Sequence, residues 1–258
     1  MAERPRVYRA EGVVLRRRNV GEADSIFTVL GSDSATFEAV ARGVRKARSH
    51  MRGHLEPLTR SRLLLARGRS LDVFTQAETV QTYRAVREDL ERSATAIYCA
   101  ELVERSTITH AEHPGLYELF LGLLDALEAG EPLHVARYFE LHLLSLLGYD
   151  LQIDACAACG ARLPEAETLF VSASGGLICA ACRPAAGAGR LLSVRAIKAL
   201  RYARATDIPS FAALRVEAPL GAELEALLAE ALRYHLDHEP RSRRYVEDVA
   251  HLGRAIPG

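Results

Sequence analysis

Tryptophan is absent from these 258 residues, methionine occurs twice, and only two of the 33 basic residues, Lys46 and Lys198, are lysine. The formal charge is zero, with 33 basic groups against 33 acidic ones, which taken alone argues against a nucleic-acid partner. No apolar run approaches the roughly 18 to 20 residues that a bilayer-spanning helix needs. The opening MAERPRVYRAEG lacks the apolar stretch of a signal peptide, so a soluble cytoplasmic protein is expected. Also missing are the phosphate-cradling G-x-x-x-x-G-K-[ST], the G-x-S-x-G elbow and H-E-x-x-H. The carboxylate pairs Glu101 with Glu104 and Asp150 with Asp154 read as a solvated acidic surface, so catalysis is not expected. Five cysteines, an odd number, fit a reducing compartment better than a disulfide framework.

The charge that cancels overall is unevenly spread. Residues 1–80 hold 15 basic and 9 acidic groups, residues 81–160 hold 5 and 13, and the remainder 13 and 11. The basic excess peaks between Arg42 and Arg69, where Arg42, Arg45, Lys46, Arg48, Arg52, Arg60, Arg62, Arg67 and Arg69 share 28 residues with one acid, Glu56. Like charges repel, and a phosphate backbone is the commonest polyanion to offset such a block; a solvated loop is the plain alternative. Arginine adds a planar fork that holds phosphate bidentately.

Residues 1–80 also read as five short strands, at Val13-Val14-Leu15, Ser25–Leu30, Thr36–Ala41, Leu58–Ala66 and Leu71–Thr79, broken by glycine, proline and Ser32-Asp33. Five strands in so short a span predict a small closed barrel of the OB type rather than an open sheet with bare edges. From about Gln81 the apolar period becomes helical, predicting helices over Leu90–Ser106, Leu116–Ala129, Leu133–Leu147, Val194–Ala205 and Leu220–Leu236. The fold class is thus α+β, a barrel over 1–80 and a helical domain over 81–258. The helix over Leu133–Leu147 is apolar nearly all round and is expected at the centre, and Cys99 reads as a small core residue.

Within the helical part, residues 153–190 form an insert. Cys156-Ala-Ala-Cys159-Gly160 precedes Cys179-Ala-Ala-Cys182, with 19 residues between Cys159 and Cys179. Each C-x-x-C converges two thiolates, and two such pairs complete a tetrahedral zinc site with no open position, which implies structure and not chemistry. A disulfide pair or a redox couple is the alternative. Leu169-Phe170-Val171 and Gly175-Gly176-Leu177-Ile178 predict a short hairpin as in zinc ribbons, and Pro184–Gly189 a flexible return. Arg195, Lys198, Arg201 and Arg204 fall every third residue on one helix and form a stripe that either extends a phosphate track or is simply solvated. Arg241, Arg243 and Arg244 read as an exposed C-terminal segment. His50 with His54, and His235 with His238, have metal-compatible spacing without a third ligand nearby.

For single strands the barrel offers few stacking groups, only Tyr8, Phe27, Phe37 and Phe74, some of which must fill its core. Binding is therefore expected to be electrostatic, indifferent to sequence and steeply dependent on salt. A surface that neutralises two strands together would help them anneal. A zinc-ribbon RNA-binding or transcription accessory protein is the competing reading, and a metallohydrolase, which needs an open metal position, a third.

Taken in order, several stretches resemble the RecO family of bacterial DNA repair proteins. These are Gly12-Val13-Val14-Leu15 and Gly21-Glu22-Ala23-Asp24, then Ala41 through Lys46 with Ser49, Gly53 and Leu55-Glu56-Pro57, and Thr75-Gln76-Ala77-Glu78. Leu147-Gly148-Tyr149 ahead of Cys156 and Cys159, and Gly175-Gly176 ahead of Cys179 and Cys182, complete the pattern, which spans almost the whole chain. The resemblance implies an N-terminal OB fold, a helical domain and a zinc-binding insert. It also implies a mediator that binds DNA, anneals complementary strands and, with its partner RecR, helps RecA replace single-strand binding protein. The family's DNA-binding role maps onto Arg42, Arg45, Lys46, Arg48 and Arg52. One departure is the turn Gly31–Ala35, which lacks the glycine that often precedes the third strand.

Overall fold

The computed structural model describes residues 6–236 and 240–255. Its contacts form two compact units, Met1–Glu128 with Ser242–Gly258, and Ala129–Arg241. The break between strand and helix falls near residue 82, whereas the contacts group the first three helices and the last one with the strands.

In the first unit, strands β1 (Val7–Val20), β2 (Asp24–Gly31), β3 (Thr36–Ala41), β4 (Arg60–Ala66) and β5 (Asp72–Gln81) close a barrel in the order β1-β2-β3-β5-β4. All neighbours are antiparallel except β3 and β5, which run parallel. β1 is much longer than the apolar triplet in the sequence indicated, because it pairs with β4 through its first half and β2 through its second. A register shift between Val14 and Arg16 bends it between the two partners; bulges of this kind increase local twist. Alternation turns Val14, Phe27, Val29, Phe37, Leu63, Leu65 and Phe74 inward, with Phe27 and Phe74 edge to face at 5.8 Å. Each such side chain contributes about 1.5–3 kcal/mol by leaving water.

The turn lacking the usual glycine closes through Ser34, whose φ of 61° is left-handed. Its cost is offset by Gly31 N–H to Ala35 O at 2.9 Å, Ser34 N–H to Gly31 O at 2.9 Å and Ala35 N–H to Asp33 Oδ1 at 3.1 Å. Helices α1 (Arg84–Glu88), α2 (Leu90–Ser106) and α3 (Leu116–Ala129) follow. Asp89 caps α2 by accepting from Arg92 N–H at 2.9 Å, and Cys99 is buried.

The second unit is built round α4 (Val135–Leu146), whose Val135, Ala136, Phe139, Leu141, Leu143 and Leu144 are all buried, as its all-round apolar character predicts. Helices α5 (Val194–Ala205), α6 (Ile208–Ala212) and α7 (Ala218–Leu236) pack against it. Ser193 caps α5, accepting from Ala196 N–H at 3.1 Å while donating its own N–H and hydroxyl to Glu223. A second sheet has the order β7-β6-β8, from β6 (Thr168–Val171), β7 (Gly176–Ile178) and β8 (Arg190–Leu192). The expected hairpin is present, and the stretch read as a flexible return instead holds a 3-10 turn over Arg183–Ala185 and leads into β8.

The C-terminal arginines lie on or beside α8 (Ser242–Ala255), with Arg241 and Arg244 exposed. α8 packs on α2 within the first unit, and Ser242 donates its backbone N–H to Glu101 at 2.8 Å.

Candidate nucleic-acid interface and metal centre

The basic segment leaves β3 at Ala41 and does not rejoin the sheet until Arg60. Three apolar side chains hold it down, Val44 and Leu55 buried in the barrel core and Met51 packed against it. The backbone is pinned as well. Gly43, with φ of 65°, donates to Asp24 Oδ1 at 2.7 Å, and Arg45 N–H donates to Ala23 O at 2.9 Å. His54, at the 3-10 turn Gly53–Leu55, accepts at Nδ1 from Thr79 N–H at 3.3 Å. The residues between the anchors are exposed, namely Arg42, Arg45, Lys46, Arg48 and Arg52. Among the described residues no ion pair engages these five side chains, and the only hydrogen bond is from Arg45 Nη1 to Gly21 O at 3.1 Å. The segment's single acid turns away: Glu56 Oε1 receives Arg17 Nη1 at 3.2 Å.

The other sequence-indicated cations differ. Arg60 donates twice to Glu11 Oε1, at 2.9 and 2.6 Å, and Arg62 lies 3.6 Å from the same carboxylate. Arg67 lies 3.7 Å from Asp72 and stacks over Tyr8 at 4.5 Å. Arg69 is exposed and has no ion pair among the described residues. Arg62 and Arg67 stay largely in water, where such pairs are worth about 0–1 kcal/mol and a phosphate competes easily.

On α5 all four cations are engaged. Arg195 reaches Glu217 at 3.3 Å and Lys198 reaches Glu165 at 2.8 Å. Arg201 donates to Ile153 O at 2.9 Å and pairs with Asp154 at 3.4 Å. Arg204 donates to Leu151 O at 3.2 Å and also binds Asp154. The contact with Lys198 holds Glu165 below the usual carboxylate range. These bonds tie α5 to residues 151–154, the strip that enters the cysteine cluster.

Aromatic side chains are not available on the barrel. Phe27, Phe37 and Phe74 are buried, and Tyr8 donates its hydroxyl to Asp72 at 2.5 Å. Burial, reinforced by Asp72, pushes that phenol up to about 12. Outside the segment, Arg9 and Arg18 on β1 are also exposed, neither in an ion pair among the described residues. Arg18 stands in register with Ile26 and Val40 beside the hairpin that anchors Gly43. The signal was there in the run Arg16-Arg17-Arg18, although Arg16 is spent on Glu104 at 2.9 Å.

The four cysteines converge. Cys156, Cys159, Cys179 and Cys182 bring their sulfurs within 4.8 Å of one another. Cys159 and Cys179 are 3.8 Å apart, the edge of a tetrahedron whose metal–sulfur bonds are about 2.3 Å. The first knuckle closes by Gly160 N–H to Cys156 O at 2.8 Å, with Gly160 left-handed, and the second by Cys182 N–H to Cys179 O at 3.1 Å. Gly176 lets the sheet approach, since a Cβ there would lie 2.3 Å from Gln152 O. The Cys179 N–H donated to Cys156 at 3.3 Å pulls that thiol down to about 6, while hydrogen bonds to Cys159 and Cys179 push Cys182 up to about 12. Crowded sulfurs cannot all ionise without a cation among them, and the cluster could hold a metal ion. Among the described residues no other group of three or more His, Cys, Asp or Glu side chains could do so. His235 stacks on Tyr149 at 4.4 Å, and His238 lies outside the described residues.

A five-stranded barrel of this order with a basic segment between its third and fourth strands, followed by helices carrying a four-cysteine cluster able to hold a metal ion, defines an OB-fold protein with a cysteine-rich insert. The family description "Recombination protein O N terminal" matches residues 5–83 and "Recombination protein O C terminal" residues 87–244. Among similar proteins, the DNA repair protein RecO of Roseiflexus sp. (strain RS-1) is 41% identical over 255 residues, covering 97% of this chain and 89% of that protein. The RecO proteins of Dehalococcoides mccartyi (strain ATCC BAA-2266 / KCTC 15142 / 195) and Anaeromyxobacter sp. (strain K) are 32% and 35% identical, over 96% and 93% of this chain and 98% and 96% of theirs. The chain belongs to the RecO family of DNA repair proteins. No helix among the described residues is long and apolar enough to cross a membrane.

Proposed function

We propose that this protein is a non-enzymatic recombination mediator that holds DNA by its phosphates and promotes the annealing of complementary strands. The observation that carries this is the set Arg42, Arg45, Lys46, Arg48 and Arg52, presented on a firmly anchored segment with no carboxylate among the described residues to neutralise them. Because the barrel's phenylalanines are buried, a bound strand is gripped by its backbone, and much of its base sequence stays free to find a complement. Arg62, Arg67 and Arg69 extend the track, Arg60 positions Glu11, and Arg195, Lys198, Arg201 and Arg204 serve the insert before they serve DNA. The ion held by Cys156, Cys159, Cys179 and Cys182 is zinc in a structural role, since four thiolates leave no position for water or substrate. Working with RecR, the protein then helps RecA replace single-strand binding protein, in the cytoplasm on the nucleoid.

Annealing of two complementary strands, followed by fluorescence transfer over a salt series, tests this. Acceleration that disappears with Arg42, Arg45 and Arg48 reversed to Glu is expected. An equal or greater affinity for RNA of the same sequence, with no annealing, would favour the RNA-binding alternative.

A further inference from the structure

The barrel is not closed to the same height all round. β3 pairs with β5 only at Ala39–Asp72 and Val40–Val73, and β1 pairs with β2 only from Gly12 onward. Beyond those points β1, β4 and β5 continue together, with Ala10, Leu63 and Ala77 in register across the three strands. The free edge of β5 is met instead by the basic segment, where His54 accepts from Thr79. The gap left over is a cleft of about 890 Å3, within the size range of small-ligand sites, about 300–1,000 Å3.

Its lining is graded. Ala10, Met51 and Ala77 are half-buried against the barrel core and make an apolar floor. Thr75 and Gln76 offer exposed polar groups, and His54 adds one more. Both the backbone N–H and the hydroxyl of Thr79 lie against Nδ1 of His54, at 3.3 and 2.8 Å, which leaves Nε2 as the ring nitrogen without a partner among the described residues. At the rim stand Arg9, Arg62 and His50. Of the two carboxylates, Glu11 is already taken by Arg60, and Glu78 is exposed. The wall His50-Met51 belongs to the segment that carries Arg48 and Arg52, so a strand lying on those arginines passes the mouth of the cleft.

We infer that this cleft receives unstacked nucleobases of a single strand, with Arg9 and Arg62 on the adjoining phosphates. A flat, weakly polar ring with donors and acceptors on its edge suits an apolar floor bordered by amide, hydroxyl, imidazole and carboxylate groups. The rim's positive charge suits the phosphate. The inference rests on the nucleic-acid reading above and adds to it a discrimination. Bases paired inside a duplex cannot enter, so the cleft strengthens single-strand binding only.

The test uses the full-length protein with a single-stranded oligonucleotide carrying 2-aminopurine and with a duplex of matched length. Two variants alter the cleft without changing charge or adding an aromatic ring, Ala77→Leu filling the floor and Gln76→Leu removing the amide at the exposed mouth. On wild-type protein the fluorescence of 2-aminopurine should change on binding. Each variant should lose that change and about tenfold in single-strand affinity, the scale of one stacked base, with duplex affinity unaltered. Unchanged single-strand affinity and an unchanged fluorescence response in Gln76→Leu would overturn the inference whatever Ala77→Leu does, and would leave the phosphate grip standing. Wild-type protein that binds neither oligonucleotide would refute the grip itself, and the cleft's role with it.

Discussion

Among the described residues, Arg42, Arg45, Lys46 and Arg48 follow β3 with a single backbone carbonyl in reach of one of them, whereas Arg195, Lys198, Arg201 and Arg204 on α5 each reach a carboxylate. In the sequence the two sets look alike, four cations within ten or fewer residues. Their fates differ because of where the acids are. The second unit supplies Asp154, Glu165 and Glu217 to α5 from positions distant in the chain, and backbone carbonyls of Leu151 and Ile153 complete the bonds to Arg204 and Arg201. The barrel has one acid in the basic segment and turns it toward Arg17. A cation already holding a carboxylate gains little from a phosphate, so charge density marks a polyanion site only where the fold withholds internal counter-ions.

Four perturbations sharpen or break that contrast. Reversing Arg42, Arg45 and Arg48 together to Glu should lower DNA affinity by at least about a hundredfold at low salt, from the loss of three phosphate contacts and added repulsion. Their exposure means that the melting temperature should stay within about 2 °C, and filter binding with thermal denaturation measures both. Cys156→Ser should release the metal and order in the insert, seen as zinc content falling well below one per chain, with DNA affinity changed less than about threefold. Arg204→Ala should leave DNA affinity intact yet destabilise the protein by about 1–3 kcal/mol, the scale of a charged hydrogen bond to a part-buried partner; denaturant titration reads this.

The smallest effect concerns protons. Cys182, pushed up to about 12, is a thiol at neutral pH in the metal-free protein, and Cys156, pulled down to about 6, is mostly a thiolate. Metal binding at pH 8 therefore displaces the proton of Cys182 and almost none from Cys156, and affinity falls further once acidification passes about pH 6 and Cys156 must also be deprotonated. Calorimetry in buffers of different ionisation enthalpy counts the protons released.

The contrast also shows what a sequence conveys. The long helices α2, α3 and α5 match their apolar periods residue for residue, and β3 its alternating run, because these signals are local. The four cysteines were legible for the same reason: the C-x-x-C spacing dictates the knuckle. The first strand shows three apolar residues in the sequence and runs for fourteen in the fold, since its outer half, Arg16-Arg17-Arg18, is polar and becomes strand only by pairing with β2. α6 is hidden in the sequence because Pro209 reads as a breaker, whereas after the capping Asp207 it occupies the first turn of a helix. β8, three residues long, is held by its register with β6 and by nothing in its own composition. Ion pairing on α5 was illegible for the reason already given, as its partners are 22 to 50 residues away.

The slope of log affinity against log salt concentration tests the central claim most directly, because each phosphate contact contributes about −0.9 for duplex DNA. With Arg42, Arg45 and Arg48 neutralised to Gln, the slope should become shallower by nearly 3, and with Arg195, Arg201 and Arg204 neutralised it should not move. Equal flattening in both variants, or flattening in the α5 variant alone, would contradict the account.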